Sequence, residues 1–154
     1  MQILWNKEYE TGVMDIDREH RQFVDLINGL QTHIDTNRIK GISRIFDGLA
    51  SYMCRHFVSE ESLAANYRVE AALQQRLHSE HQGFIREVGH LRKMRDDNPI
   101  EAAHDLHAVL KRWLTDHIMT TDAAVAAALP LTMRQHHHHR EAVEAVHVNR
   151  IGVH

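Results

Sequence analysis

Apolar positions recur along this chain at threes and fours. Ile16, His20, Phe23, Val24, Ile27 and Leu30 share one helical face, so a first helix is predicted there, with Asp15 or Asp17 as its cap. Asp35 to Gly41 reads as a loop. A second helix is predicted from about Ile42 to Asn66, its inner face carrying Ile45, Leu49, Met53 or Tyr52, His56, Glu60 and Leu63. Tyr67 to Val69 makes a weak break. A third helix follows over roughly Glu70 to Arg95, striped by Leu77, His81, Phe84, Val88 and Leu91, with His78 bordering the stripe. Asp96-Asp97-Asn98-Pro99 then marks a boundary, with Asn98 as a cap and Pro99 at the first helical position. The fourth helix runs from about Ile100 to Leu129 through Leu106, Val109 or Leu110, Trp113, His117 and Ala124, and Pro130 ends it.

Residues 1–14 lack helical periodicity and read as an extended arm laying Trp5 and Tyr9 over the body. The expected fold is all-α: an antiparallel up-down four-helix bundle with an N-terminal aromatic arm, occupying residues 1–130. Residues 131–154, with the run His136-His137-His138-His139, are expected to form a loosely attached His-rich tail.

Composition changes this picture in two places. The net charge of -3 gives no electrostatic reason to expect nucleic acid. Histidine is abnormal, with 15 copies, many of them outside the tail. The one cysteine, Cys54, excludes an intrachain disulfide, and it lies roughly 200° around the helix from His56. The N-terminus lacks a basic segment followed by an apolar run. No apolar stretch approaches the roughly 20 residues of a membrane span, so a soluble cytoplasmic protein is expected.

The chemistry lies in what the stripes carry. His56 and Glu60 are one turn apart on a single face. Each alone is ordinary, and His20, His81 or His117 alone would read as a core histidine bonded to a neighbour. Together they put an imidazole or carboxylate from every helix into one small apolar core. That is costly unless the groups share a cation. Asp122 follows His117 by five residues, which is about 500° on an α-helix and some 140° off the face. It joins the others only if the helix bulges there, as π-bulges do.

Several stretches carry a resemblance to a known family. They are Trp5 with Gly12-Val13, Ile16-Asp17-Arg18-Glu19-His20, His56-Phe57-x-x-Glu60-Glu61, His81, and Trp113-Leu114-x-x-His117-Ile118-x-x-x-Asp122. As an ordered set covering roughly residues 1–129, they resemble the bacterial hemerythrins. The resemblance implies a bundle holding two non-haem irons with an oxo or hydroxo bridge, and reversible binding of dioxygen at one of them. It implies that His20 and His56 hold one iron, His81 and His117 the other, and that Glu60 and Asp122 bridge them. Trp113, Leu114, Ile118, Phe23, Ile27 and Leu77 are then candidates for the wall of a dry pocket.

The chain departs from the family at one point. The third helix should carry H-x-x-x-H, but four residues before His81 stands Leu77, followed by His78. The family's Tyr-Pro before this helix is also absent. Three arrangements follow. His78 binds after a small rotation or bulge; or the second iron keeps two histidines, with water or Glu80 completing its shell; or the site holds one metal or none. The leading expectation is a non-enzymatic dioxygen carrier, store or sensor. The alternatives are a di-iron redox enzyme acting on peroxide or nitric oxide, and a metal-free helical interaction module.

Overall fold

The computed structural model describes residues 1–134. Four long helices form the body: α1 (Met14–Asp35), α2 (Ile39–Asn66), α3 (Ala71–Met94) and α4 (Pro99–Trp113). The fourth continues through a π-helical segment (Leu114–Asp122) into α5 (Ala123–Ala128), and a single turn, α6 (Leu131–Arg134), follows Pro130. α1 packs on α2 and α4, and α3 packs on the same two helices from the other side. No helix among the described residues is long and apolar enough to cross a membrane. The expected tail lies almost wholly outside the described residues.

The core divides at the level of the inward histidines. A larger apolar cluster, with Phe23, Ile27, Phe46, Leu49, Phe84, Leu106 and Leu110, fills one end. A smaller one, with Val13, Ile16, Ala64, Leu77, Val125 and Leu129, fills the other. Polar ligand-type side chains can lie between them because neither cluster reaches across.

The helix starts differ from the expectations drawn on the sequence. Neither Asp15 nor Asp17 caps α1; the cap position is Val13, with no side-chain bond. Asp17 instead turns back, buried, and accepts bonds from Thr11 N (2.7 Å), Thr11 Oγ1 (2.8 Å) and Gly12 N (3.1 Å). This clamp folds the N-terminal segment into the helix, and it needs Gly12 because φ there is +82°, which a side chain disfavours. Asn98 does hold the cap position of α4 with Pro99 first in the helix, as expected, but its side chain makes no capping bond and gives its amide to Glu101. The second helix begins earlier than expected, at Ile39.

Residues 1–12 contain one short 3-10 turn, Lys7–Tyr9. Ile3 exchanges two 2.8 Å hydrogen bonds with the Asn28 side chain, and Trp5 and Tyr9 pack against the larger cluster.

Candidate metal centre

Each helix delivers its inward polar group for the reason that delivers its apolar ones: the group lies on the buried stripe. His20, His56, Glu60, His81, His117 and Asp122 are all at most 2% exposed. Asp122 arrives by a different route. The helix is π-wound from Leu114 to Asp122, and π-winding bonds residue i to i+5. Five residues therefore make about one turn, and Asp122 Oδ1 comes within 2.8 Å of His117 Nε2.

The six side chains form two overlapping groups that share both carboxylates: His20, His56, Glu60 and Asp122, and His81, His117, Glu60 and Asp122. Glu60 Oε1 faces His20 Nε2 (3.3 Å) and His56 Nε2 (3.2 Å), while Oε2 faces His81 Nε2 (3.1 Å). Asp122 Oδ2 faces His20 Nε2 (3.1 Å), while Oδ1 faces His117. Each carboxylate thus splits its two oxygens between the two histidine pairs.

The hydrogen-bond inventory tests whether metals fit. The Nε2 atoms of His20, His56 and His117, Glu60 Oε1 and both Asp122 oxygens are buried without a hydrogen-bond partner. They lie close to one another but are not directed as donor and acceptor. Ligand atoms about 2.1 Å from a shared ion and roughly at right angles to one another come about 3 Å apart. The observed spacings match that requirement, and imidazole with carboxylate suits iron, zinc or manganese.

Outside this set stands a ring of carboxylates. Glu19 Oε2 lies 2.6 Å from His56 Nδ1, Glu61 Oε1 2.8 Å from His81 Nδ1, and Glu80 Oε2 2.8 Å from His117 Nδ1. Each acid sits beside an inward residue in sequence and reaches across a helix seam to the next helix's histidine. An Nδ1–H donated to a carboxylate leaves the Nε2 lone pair turned inward. Glu61, next to Glu60 in sequence, leaves the inner face and is a partner of His81. Aromatic rings fix the imidazole planes from the side. Phe57 stacks on His81 at 3.9 Å, Trp113 on His117 at 3.7 Å, and Tyr52 on His56 at 5.0 Å.

In the protein alone His20, His56, His117 and Glu60 have shifted pKa values. Burial works against a proton on His20, yet Asp122 and Glu60 outweigh it and raise its pKa to about 9. Burial likewise opposes the proton on His56, but Glu60 and Glu19 raise it to about 10. His117 is raised in the same way, against its burial, by Asp122, Glu60 and Glu80. Burial pushes Glu60 up, but His56, His20 and His81 hold its carboxyl well below the usual range.

The structure does not bring His78 into this cluster. α3 is uninterrupted, so no bulge rotates His78 inward, and its side chain is 60% exposed. Its Nδ1 lies 3.0 Å from Glu61 Oε2. Leu77, fully buried, holds the inward position one turn before His81. Glu80 is engaged with His117 and Arg76. Cys54 is exposed. Phe23, Ile27, Leu77, Leu114 and Ile118 are all buried, and Trp113 is half-buried against His117. Reading the sequence missed Glu19 and Glu61 and gave Glu80 only as a possible ligand, although each stands next to an inward ligand-type residue.

Fold and centre together define a helical protein with a buried, histidine- and carboxylate-lined candidate site for metal ions. The family model described as the hemerythrin HHE cation binding domain matches residues 11–129, and the chain belongs to the hemerythrin family. It is 29% identical over 136 residues to a bacteriohemerythrin of Pseudomonas aeruginosa, covering 86% of this chain and 85% of that one. It is 27% identical over 135 residues to a bacteriohemerythrin of Stenotrophomonas maltophilia, with the same coverage of 86% and 85%. A bacteriohemerythrin of Clostridium acetobutylicum is 26% identical over 125 residues, covering 78% of this chain and 95% of that one.

Proposed function

We propose that this chain is a non-haem di-iron protein that binds dioxygen reversibly within an antiparallel up-down bundle. The observation that carries the reading is the pair of overlapping ligand groups, with six buried donor atoms lacking any partner of their own. His20 and His56 would hold one iron, His81 and His117 the other, and Glu60 and Asp122 both. Bound there, a ferrous pair supplies the electrons that dioxygen draws on when it binds. The chain's own part is to orient and to exclude. Glu19, Glu61 and Glu80 hold the imidazoles of His56, His81 and His117 in the tautomer that turns Nε2 inward. Phe23, Ile27, Leu114 and Ile118 keep water away, which favours binding over oxidation.

The test is dioxygen uptake by protein loaded with ferrous iron in the absence of air. About one dioxygen per chain, released again under vacuum, is the expected result. Iron-loaded protein that takes up none would overturn the reading.

One observation favours a second reading. Leu77 leaves the His81–His117 pair without a third imidazole, as the His20–His56 pair is. Two open positions suit turnover of peroxide or nitric oxide. Peroxide consumption that persists in His78→Ala and vanishes in Glu60→Ala would select this reading; its absence in wild-type protein would remove it.

A further inference from the structure

Thr120 lies inside the π-wound segment, between the two ligand-type residues the segment serves, His117 and Asp122. It is exposed, on the outer face of the bundle, and both of them are buried. Its hydroxyl donates to the Asp116 carbonyl at 2.5 Å and lies 3.5 Å from the His117 carbonyl. In a regular α-helix those two carbonyls accept the amides four residues on, from Thr120 and Thr121. In a π-helix they accept the amides five residues on, from Thr121 and Asp122. The Thr120 hydroxyl thus occupies the Asp116 carbonyl where the amide of Thr120 itself would bond in an α-helix. A threonine hydroxyl bonded one turn back competes with the backbone for its acceptor. Here that competition favours the wider turn, and the wider turn carries Asp122 round to His117.

Thr115 supplies a comparison within the same stretch. Its hydroxyl lies 3.1 Å from the Arg112 carbonyl and 3.1 Å from Asp116 Oδ1. Arg112 belongs to α4, before the π-wound segment begins. A hydroxyl bonded there ties down the regular helix and has no bearing on the spacing between His117 and Asp122.

We propose that Thr120 is a positioning residue: its hydroxyl holds the chain in π register between His117 and Asp122, and so keeps the Asp122 carboxylate on the inner face. Its consequence for metal binding rests on the two-metal reading; the register itself does not. Without the hydroxyl, the Asp116 carbonyl is open to the amide of Thr120, and the segment winds toward a regular helix. On that helix position 122 lies roughly 140° from the face of His117, and position 121 lies about 40° from it. Thr121 then takes the inward place that Asp122 holds.

The experiment uses the full chain with zinc, which histidine and carboxylate ligands accept and which brings no redox chemistry. Thr120→Val keeps the shape and loses the hydroxyl, and it is expected to weaken zinc binding about tenfold, the weight of one hydrogen bond. Thr120→Ser keeps the hydroxyl and is expected to bind as wild type does. Thr115→Val, which loses its bond in the regular helix, is expected to leave zinc affinity unchanged. A register swap sharpens the test. The double change Thr121→Asp with Asp122→Ala binds fewer than two zinc ions on the π-wound segment, and adding Thr120→Val is expected to restore binding toward two. Equal affinity in wild type and Thr120→Val, equal losses in Thr120→Val and Thr115→Val, or a triple variant no better than the double one overturns the proposal. Metal-free protein gives a readout that needs no zinc. Couplings across hydrogen bonds, measured by NMR, are expected to join the Asp122 amide to the His117 carbonyl in wild type and to the Ile118 carbonyl in Thr120→Val. The same pairing in both overturns the proposal, as does a wild type already paired to Ile118. Wild-type protein that binds no zinc overturns the two-metal reading instead, and the NMR arm then decides the role of Thr120 by itself.

Discussion

At the scale of residues, three of the four imidazoles, those of His56, His81 and His117, are held by a carboxylate at the far nitrogen. His81 is held by Glu61, and Glu61 is held in turn by His78 at the surface. Glu61→Ala is therefore expected to weaken the metal at His81 and His117 by about 10- to 100-fold and to leave the other nearly unchanged. His78→Ala, which only loosens Glu61, is expected to cost a few-fold at that same metal. Competition with a coloured chelator, titrated one equivalent at a time, reads both; a His78→Ala protein that loses the second equivalent altogether would show that His78 is itself a ligand. The gathering of His20, His56, Glu60, His81 and His117 in one buried layer was legible in the sequence because a polar group on a buried stripe breaks the apolar pattern it belongs to. Glu19, Glu61 and Glu80 were not, because a residue one step off the stripe looks like any solvated flank. Only the neighbouring helix reveals what it faces.

At the scale of elements, two local departures from regular structure position the functional side chains. The π-wound segment brings Asp122 onto the face of His117. The sequence stated the need for such a bulge through its H-x-x-x-x-D spacing, but periodicity has no term for one, and the same stretch also fits an unbroken helix. Moving the carboxylate with the double change Thr121→Asp and Asp122→Ala would restore the site on a regular α-helix, where position 121 is four residues after His117. On this backbone it is expected to fail, with bound metal falling below two per chain while helix content is kept. The second departure is the turn at Gly12 clamped by Asp17. Asp17→Ala removes three bonds from a buried carboxylate site and is expected to cost about 2–3 kcal/mol by urea unfolding. Metal content at saturation should not change, since Asp17 touches none of the six candidate ligands; a loss of less than about 0.5 kcal/mol would mean the clamp is not made in solution. Reading Asp15 or Asp17 as a helix cap went wrong because an acid in the first turn serves either purpose, and only the left-handed backbone at Gly12 decides between them.

At the scale of the whole molecule, the four stripes determine the packing, and the polar layer between the two apolar clusters makes that packing depend on how the layer's charges are compensated. Without metal, protons take the ions' place. His20 and His56, raised to about 9 and about 10, stabilise the fold fully below their unfolded value near 6.5. That contribution is lost as pH rises through their folded values. Glu60, lowered, works in the opposite sense: its contribution is present above the ordinary carboxylate range and is lost as pH falls through its folded value. Metal-free protein should therefore melt at progressively lower temperature between about pH 6.5 and 10. Metal-loaded protein should melt higher throughout and lose that slope, because the ions displace the protons. Parallel melting curves for the two forms across that range would contradict the assignment.

The central claim is that one buried layer holds two irons, and anaerobic titration of metal-free protein with ferrous iron tests it most directly, counting bound iron and recording the spectrum before and after air is admitted. The account predicts saturation at two irons per chain, with charge-transfer bands that appear on exposure to dioxygen and are absent from Glu60→Ala. Saturation at one iron or none, or a spectrum that air leaves unchanged, would contradict it.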